Sequence, residues 1–540
     1  MKKLSIILIF TSIIWAVTVP ANIDRAKMDD GTGSCDKFVP VMTTRDIVVA
    51  DSSANEYTMW TQMQECLAYN PGLEYLEFVC RNSVVSGNLD VYQNDNLFSS
   101  ALVDVDVYTQ QLGPARYPTS VASDDGSGNG PHISFPYLIS GAWGGMGGQY
   151  ESGGWFSSFW DDPVDVGTGN LGTHKNIGKQ LSNGNILFIG VEQNGNILFS
   201  TYTPDLSTRI AGGTVAPAIA YYWGFDINGG TAYVFYYDDG LNVYYKTTTN
   251  GVNWSDAQSW NLVWPNPYPS NIIGWTQAVV TDAGNPILIF DNWNGDDYNA
   301  GNYPFRSKVY VSIASGQACI EVGNTAADAK SFYPTIAAGG NYVVALFGQP
   351  RSGTGQYTFW DVYYNYSANN GATWSTPRNL TSGITDHNNC LWQIAKRIDA
   401  TGNGQFFFVF GCAISDPLLD LYWNINNSGA PIASRWYVGR NPVVGIAENK
   451  TETPKKLALN IAPNPVRENT GISYTIPKAS NVSVQLYGAD GRLVKAIDQG
   501  YRNPGIYTTT LDARELTNGT YFVVVKTDNR NITGKLVITH

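Results

Sequence analysis

The sequence predicts an all-β chain in two parts, a β-propeller followed by a small C-terminal β-sandwich. Three observations carry that reading: a polar–aliphatic–aromatic triplet returns through the middle of the chain, short apolar runs bounded by Gly, Asn and Pro replace helical periodicity, and tryptophan stops at Trp436 before the composition turns basic. The 540 residues include 55 Gly, 33 Tyr and 16 Trp but only 14% charged residues. That profile excludes disorder, coiled coil and long surface helices, and the length allows several domains. A net charge of −12 argues against nucleic acid as a partner, because such binders displace counterions with clustered Lys and Arg. Four His and no H-E-x-x-H or C-x-x-C spacing leave zinc and haem without their ligand sets, and no cofactor is expected.

Residues 1–21 have the layout of a secretory signal peptide: Lys2-Lys3, an apolar run from Leu4 to Val19, and a small-residue exit at Ala21. The run is too short to span a bilayer, and no later stretch reaches membrane length, so no transmembrane segment is expected after the signal is removed. Six Cys (35, 66, 80, 319, 390 and 412) would then lie in an oxidising compartment. Spacing favours Cys66–Cys80 and Cys390–Cys412 as local bridges and leaves Cys35 with Cys319; buried free thiols are the alternative.

Residues 22–440 are read as the propeller. The triplet appears as Asp90-Val91-Tyr92, Asn242-Val243-Tyr244, Lys308-Val309-Tyr310, Asp361-Val362-Tyr363 and Asp420-Leu421-Tyr422. The tyrosines are separated by 152, 66, 53 and 59 residues. The long interval fits three steps of about 51, the size of a four-stranded blade with its loops, so two cryptic units are expected, at Trp155-Phe156 and Leu198-Phe199. The total is then seven blades, or six if the region around Tyr57 to Tyr92 is an N-terminal extension. Strands preceding the triplets begin after turn signals at Asn183-Gly184, Gly230, Asn285-Pro286, Asn341 and Gly404. Gly167-Thr168-Gly169-Asn170-Leu171-Gly172 fits a dinucleotide fingerprint only in letters, since no helix follows, and is read as an inter-blade loop.

Ser367-Ala368-Asn369-Asn370-Gly371-Ala372-Thr373-Trp374 resembles the Asp-box, or BNR repeat, of sialidase-like propellers, and Thr247-Thr248-Thr249-Asn250-Gly251-Val252-Asn253-Trp254 is a degenerate second copy. In such a turn a short side-chain acceptor caps free N–H groups, Gly takes a positive φ and Trp packs beneath. In this reading Ser367, Asn369, Gly371, Thr373 and Trp374, with Thr247, Gly251 and Trp254, are structural. The resemblance prompts a search for an arginine cluster that would hold a carboxylate. Arg116, in a variant of the family's R-I-P motif, and Arg306, Arg351 and Arg397 are the candidates. The best ligand chemistry lies in two stretches read as loops, Asp291–Tyr298 followed by Tyr303, and the Gly-rich stretch from Trp143 to Trp155. Trp293, Asp296, Tyr298 and Tyr303 combine rings that cover a pyranose with groups that bond its hydroxyls. Asp291, Asp296 and Asp297 would alternatively suit Ca²⁺.

Residues 441–458 read as a linker, around Glu448–Lys456. From Lys450 onward there are 12 Lys and Arg against 7 Asp and Glu, so the remainder of the chain holds 21 against 38. In residues 459–540 strands are expected at 472–476, 482–487, 492–497, 505–511, 521–527 and 534–538, with Val482, Val484 and Leu486 alternating with Ser483 and Gln485. Pro463-Asn464-Pro465, Asp490-Gly491-Arg492, Gly519-Thr520-Tyr521 and Lys535-Leu536-Val537, in that order, resemble the type A C-terminal sorting domain of the type IX secretion system, an Ig-like fold similar to the flagellar hook-capping domain. Gly488 departs from that pattern, where many members carry Asp. The resemblance implies an outer-membrane translocon as partner and a secreted or cell-surface location. The expected function is a surface propeller that binds an extracellular glycan or protein; the alternative is an exo-acting glycoside hydrolase of sialidase type.

Overall fold

The computed structural model describes residues 46–443 and 458–540, apart from 52–58, 60–64, 82–87, 95–102, 422–433 and shorter stretches of at most five residues. The expected signal peptide, residues 444–457 of the expected linker, Cys35, Tyr422 and Pro463 lie outside the described residues, whereas Asn441 and Pro442, expected as linker, end a strand of the first unit and Ala458 begins one of the second. The chain divides into two compact units at Val444/Gly445.

Among the described residues the first unit contains seven four-stranded antiparallel sheets. Six are consecutive: Leu67 to Val107, Thr119 to Asp165, Leu171 to Ala216, Tyr221 to Trp260, Asn271 to Glu321 and Phe332 to Asn379 (blades 1 to 6). Blade 7 takes three strands from Cys390 to Pro442, and its fourth is Asp46–Asp51 from the start of the chain, paired antiparallel with Ser434–Pro442. A strand from one terminus completing a sheet from the other closes a ring and removes its open edge.

The closure is visible at every blade junction near the axis. Ser120 N–H bonds Glu65 O at 2.8 Å, Thr119 Oγ1 bonds Asn176 O at 3.0 Å, and Lys179 Nζ lies 4.0 Å from Asp226. Val280 N–H bonds Asp226 Oδ2 at 2.6 Å, Ile336 N–H bonds Gln277 Oε1 at 3.3 Å, Ile394 N–H bonds Thr335 Oγ1 at 3.2 Å, and Leu67 N–H returns to Gln393 Oε1 at 3.3 Å. Blades stack face to face, so their middle strands are buried on both sides; Ile197–Tyr202 and Ser307–Ser312 are buried throughout.

The repeated triplet marks the third strand at Tyr92, Tyr244, Tyr310 and Tyr363, and Leu198-Phe199 is a further copy, as expected. Two expected copies fail. Trp155-Phe156 follows the third strand of blade 2 (Ala142–Ser152), and the described part of Asp420-Leu421-Tyr422 precedes that of blade 7. The Gly-rich stretch expected as a loop is that blade 2 strand: Tyr137 and Phe135 pair with Gly145 and Gly147, and each ring occupies the space a Cβ would need, 2.2 Å away. The expected disulfides are absent among the described residues; Cys66, Cys80, Cys319, Cys390 and Cys412 are buried free thiols.

The second unit is a sandwich of a three-stranded sheet (Ala458–Ala462, Asn469–Ile476, Gly505–Asp512) and a four-stranded sheet ordered Leu493–Arg502, Ser480–Gly488, Gly519–Lys526, Asn531–Ile538. All six expected strands are present, and Ala458–Ala462 adds a seventh. Val482, Val484 and Leu486 point into a core with Val523, Val525 and Leu536.

Candidate functional site

Antiparallel pairing puts two kinds of connection at the end of the ring where inner strands begin, here called the leading end: second-to-third-strand loops and blade-to-blade links. Between blades 4 and 5 at this end lies a cavity of about 420 Å³. Trp260 and Trp264 line it from the face of blade 4 toward blade 5, with Leu241, Val243 and Leu262, whereas Tyr244, also in its lining, has its ring on the face toward blade 3 with Tyr236; Asn242, Ser259, Asn261 and Asn271 are its polar residues. No charged side chain lines it.

Each wall is fixed from behind. Trp260 packs edge-on to Phe235 at 5.6 Å, and its Nε1 donates to Ser312 Oγ at 2.9 Å. Trp264 leans on Phe290 at 5.5 Å, and Tyr244 stacks on Tyr236 at 5.7 Å. Asp238 caps the turn before Val243–Thr248, accepting from Gly240 N–H at 2.9 Å and from Asn242 N–H at 3.0 Å. Its carboxylate also takes both Nδ2 contacts of Asn242, at 3.1 and 3.0 Å, and the Tyr244 hydroxyl at 3.4 Å. These bonds, those of Asn242 above all, hold the Asp238 carboxyl below its ordinary range. Asn271 Oδ1 is buried with no hydrogen-bond partner among the described residues.

The loop expected to bind ligand borders this cavity, since Asn271 pairs with Asn294 and Gly295 N–H bonds Ser270 O at 2.8 Å. Its first part is strand (Pro286–Asn294), followed by one helical turn, Gly295–Asn299, capped by Asn294. Trp293 stacks against Tyr298 at 5.6 Å and meets Phe305 at 4.9 Å. Asp296 and Tyr298 are exposed, whereas Tyr303 turns inward, 3.2 Å from the Tyr333 hydroxyl and 3.3 Å from Asp420 Oδ2. The three aspartates considered for Ca²⁺ do not share a site. Asp291 is buried, which raises its carboxyl to about 7, and it accepts N–H groups from Trp275 (2.5 Å) and Tyr333 (3.0 Å). Both donors sit in bulges at the start of inner strands, so Asp291 satisfies amides that the ladder has released. Asp297 instead forks onto Arg306 at 2.7 and 2.8 Å.

The four arginines do not all lie at one end of the ring. Arg116 precedes the inner strand of blade 2, Arg306 faces Asp297 in blade 5, and Arg351 binds Asp361 within blade 6 at 3.1 Å. Arg397 lies past the inner strand of blade 7, at the trailing end, bonded to both oxygens of Asp226 at 2.9 Å.

That last pair belongs to an axial network that sequence reasoning missed. Lys396 reaches Gln277 Oε1 (2.8 Å), Ala278 O (2.5 Å) and Glu65 (3.8 Å), while Lys179 contacts Glu65 and Asp226. Six side chains from blades 1, 3, 4, 5 and 7 (Glu65, Lys179, Asp226, Gln277, Lys396 and Arg397) thus tie the ring across its axis. The turns at Ser367 and Thr248 also lie at the trailing end, between third and fourth strands. Ser367 Oγ accepts from Asn369 and Gly371 N–H (3.2 and 2.8 Å), Asn369 Oδ1 from Thr373 N–H (2.9 Å), and Trp374 Nε1 donates to Gly371 O (2.8 Å). In the other turn the capping residues are Thr248 and Asn250, not Thr247 and Thr249: Gly251 N–H bonds Thr248 Oγ1 at 3.0 Å, and Asn250 Oδ1 accepts from Val252 and Asn253 N–H. One residue fewer before Gly251 shifts the register. Trp254 packs on Phe199 of the neighbouring blade at 5.4 Å.

In the second unit the motif residues lock turns and strand ends. Asn464 bonds Lys535 O (2.7 Å) and Val537 N–H (2.9 Å); Asp490 Oδ1 accepts Arg492 N–H (3.1 Å) in a turn with Gly491 at φ 80°; Tyr521 donates to Thr517 O (2.9 Å).

Residues 460–539 match the secretion system C-terminal sorting domain. This tail marks proteins exported by the type IX secretion system and attached to the outer cell surface. No curated protein sequence matches the chain. Similar solved structures include a polysaccharide lyase of family PL25, an ulvan lyase (11% identity, 68% of this chain and 93% of that one, TM-score 0.45). Others are the BP39L lectin from Burkholderia pseudomallei (11%, 66% and 94%, 0.45) and PorZ, a surface component of the type IX secretion system of Porphyromonas gingivalis (13%, 88% and 60%, 0.36).

Proposed function

We propose that the propeller is a glycan-binding module displayed outside the cell by its sorting tail. The observation that carries this reading is the cavity between blades 4 and 5, where Trp260 and Trp264 stand beside residues that carry amide and hydroxyl groups. A sugar ring has apolar faces and a polar rim, and this lining offers a surface for each. Tyr298, stacked on Trp293 beside Asp296 in the bordering loop, extends the platform for a longer chain. The turns around Ser367 and Thr248 fit the structural role of Asp-boxes, at the end of the ring opposite the cavity. A sialidase-type hydrolase needs arginines and carboxylates in one pocket, and the placement of Arg116, Arg306, Arg351 and Arg397 gives that reading no support.

A glycan array probed with the full chain tests the proposal. Trp264→Ala and Trp260→Ala are expected to weaken binding roughly tenfold or more, the cost of losing a stacking ring. Binding to no glycan, or full binding by both variants, contradicts it.

A further inference from the structure

The Gly-rich strand Ala142–Ser152 runs into a loop at the trailing end, where Trp155 and Phe156 of blade 2 meet Tyr75 of blade 1. The Tyr75 ring lies 5.3 Å from Trp155 and meets Phe156 edge-on at 5.1 Å. All three are half-buried, and Phe159 in the same loop is 73% exposed. None of the four rings belongs to a core cluster. They are nevertheless held firmly from behind. Trp155 Nε1 donates to Ser123 O at 3.0 Å, and Phe156 N–H donates to Gln93 Oε1 at 2.9 Å. Gln93 is buried and donates in turn to the buried Glu151 at 2.6 Å. Phe156 sits at φ 63°, a left-handed conformation that a bulky residue seldom takes and that core packing here does not repay. The adjoining turn tips are glycines, with Gly153 N–H bonded to Gly128 O at 2.8 Å, and add no side chains there.

Resting on the glycan-binding reading, we infer that Tyr75, Trp155 and Phe156 form a second, shallow sugar platform that grips a polysaccharide already held in the cavity. Rings stack on pyranose faces, and the Tyr75 hydroxyl and the exposed Glu74 carboxylate next to it bond the hydroxyls at the rim. The surface is too small for a stable protein partner: the four rings expose on the order of 300 Å², against about 800 Å² a side for a standard protein interface. A platform without walls holds a short sugar only in about the millimolar range, whereas a long polymer bound at the cavity is presented to it at high local concentration.

The full chain tests this with short and long ligands. Cello-, manno- and xylohexaose, titrated by calorimetry, are compared with mixed-linkage glucan, glucomannan and xylan in affinity electrophoresis. At least one hexasaccharide and its parent polymer are expected to bind. Tyr75→Ala and Trp155→Ala are expected to leave the hexasaccharide affinity within about twofold and to weaken polymer binding roughly tenfold or more, while Trp264→Ala weakens both. Tyr75→Ala keeps the hydrogen bonds of Trp155 and Phe156, and melting temperatures check that both variants are folded. Polymer binding unchanged in both platform variants, or hexasaccharide and polymer weakened together, overturns the inference and leaves the cavity reading standing. Self-association of the parent chain that Tyr75→Ala abolishes assigns the rings to a second copy and also overturns it. Binding that Trp264→Ala does not change overturns the cavity placement on which the inference rests, and no binding to any probe overturns both.

Discussion

Lys396 illustrates what a ring fold asks of a single side chain. Its ammonium is buried, which lowers its pKa to about 8, and Glu65 and Asp226 only partly offset that burial. Between pH 8 and the ordinary lysine value the unfolded chain binds the proton that the folded chain has released, so stability rises with pH across this window. Lys396→Met is expected to remove that rise; melting temperatures of both proteins from pH 7.5 to about 10.5 check it, read as a difference because tyrosines and thiols titrate there too. Nothing in the sequence announced Lys396, since its partners come from blades 1 and 5 and no local spacing encodes them. Ser367, Asn369 and Gly371 were legible for the opposite reason: their chemistry closes within one hairpin. The Thr247 assignment failed because a one-residue-shorter loop looks the same in letters until the hydrogen bonds are placed.

Individual strands were the most readable level. Second strands announced themselves through turn signals followed by continuous apolar runs, and third strands through the triplet, because both are sandwiched between neighbouring blades. Inner strands were harder to see. Thr119–Val121 and Cys390–Ile394 are short, and five of the seven carry a register shift near their start, which breaks the alternation a reader looks for. Glycines in Ala142–Ser152 misled for a related reason: the side chains filling that strand's surface come from its partner. The inner elements are held by polar contacts of unequal depth. Asp226 is fully buried and Arg397 is 16% exposed, whereas Arg306 is 41% exposed. Arg397→Ala leaves a buried charge with less compensation and is expected to cost about 3–5 kcal/mol, whereas Arg306→Ala, at a solvent-screened pair, is expected to cost much less. Thermal or denaturant unfolding of the two variants checks the contrast.

For the molecule as a whole, blade number followed from repeat spacing, but the owner of the last blade's outer strand did not, because Asp46–Asp51 pairs with a strand at the far end of the unit. The cavity was half legible: Asn242 and Tyr244 belong to the recognised triplet, and Trp260 to Trp264 form an aromatic cluster between blades, yet only the fold brings Asn271 beside them. The tail was the clearest part, since its motifs fix local turns in an order that a short sandwich cannot easily permute. Display and binding belong to different units of one chain, so both are read together on living cells. Fluorescent polysaccharides, applied as a panel to intact cells that produce the full chain, test this most directly. Cells with the full chain are predicted to label; cells producing the chain without residues 459–540, or with Trp264→Ala, are predicted to stay dark. Equal labelling of all three would contradict the account.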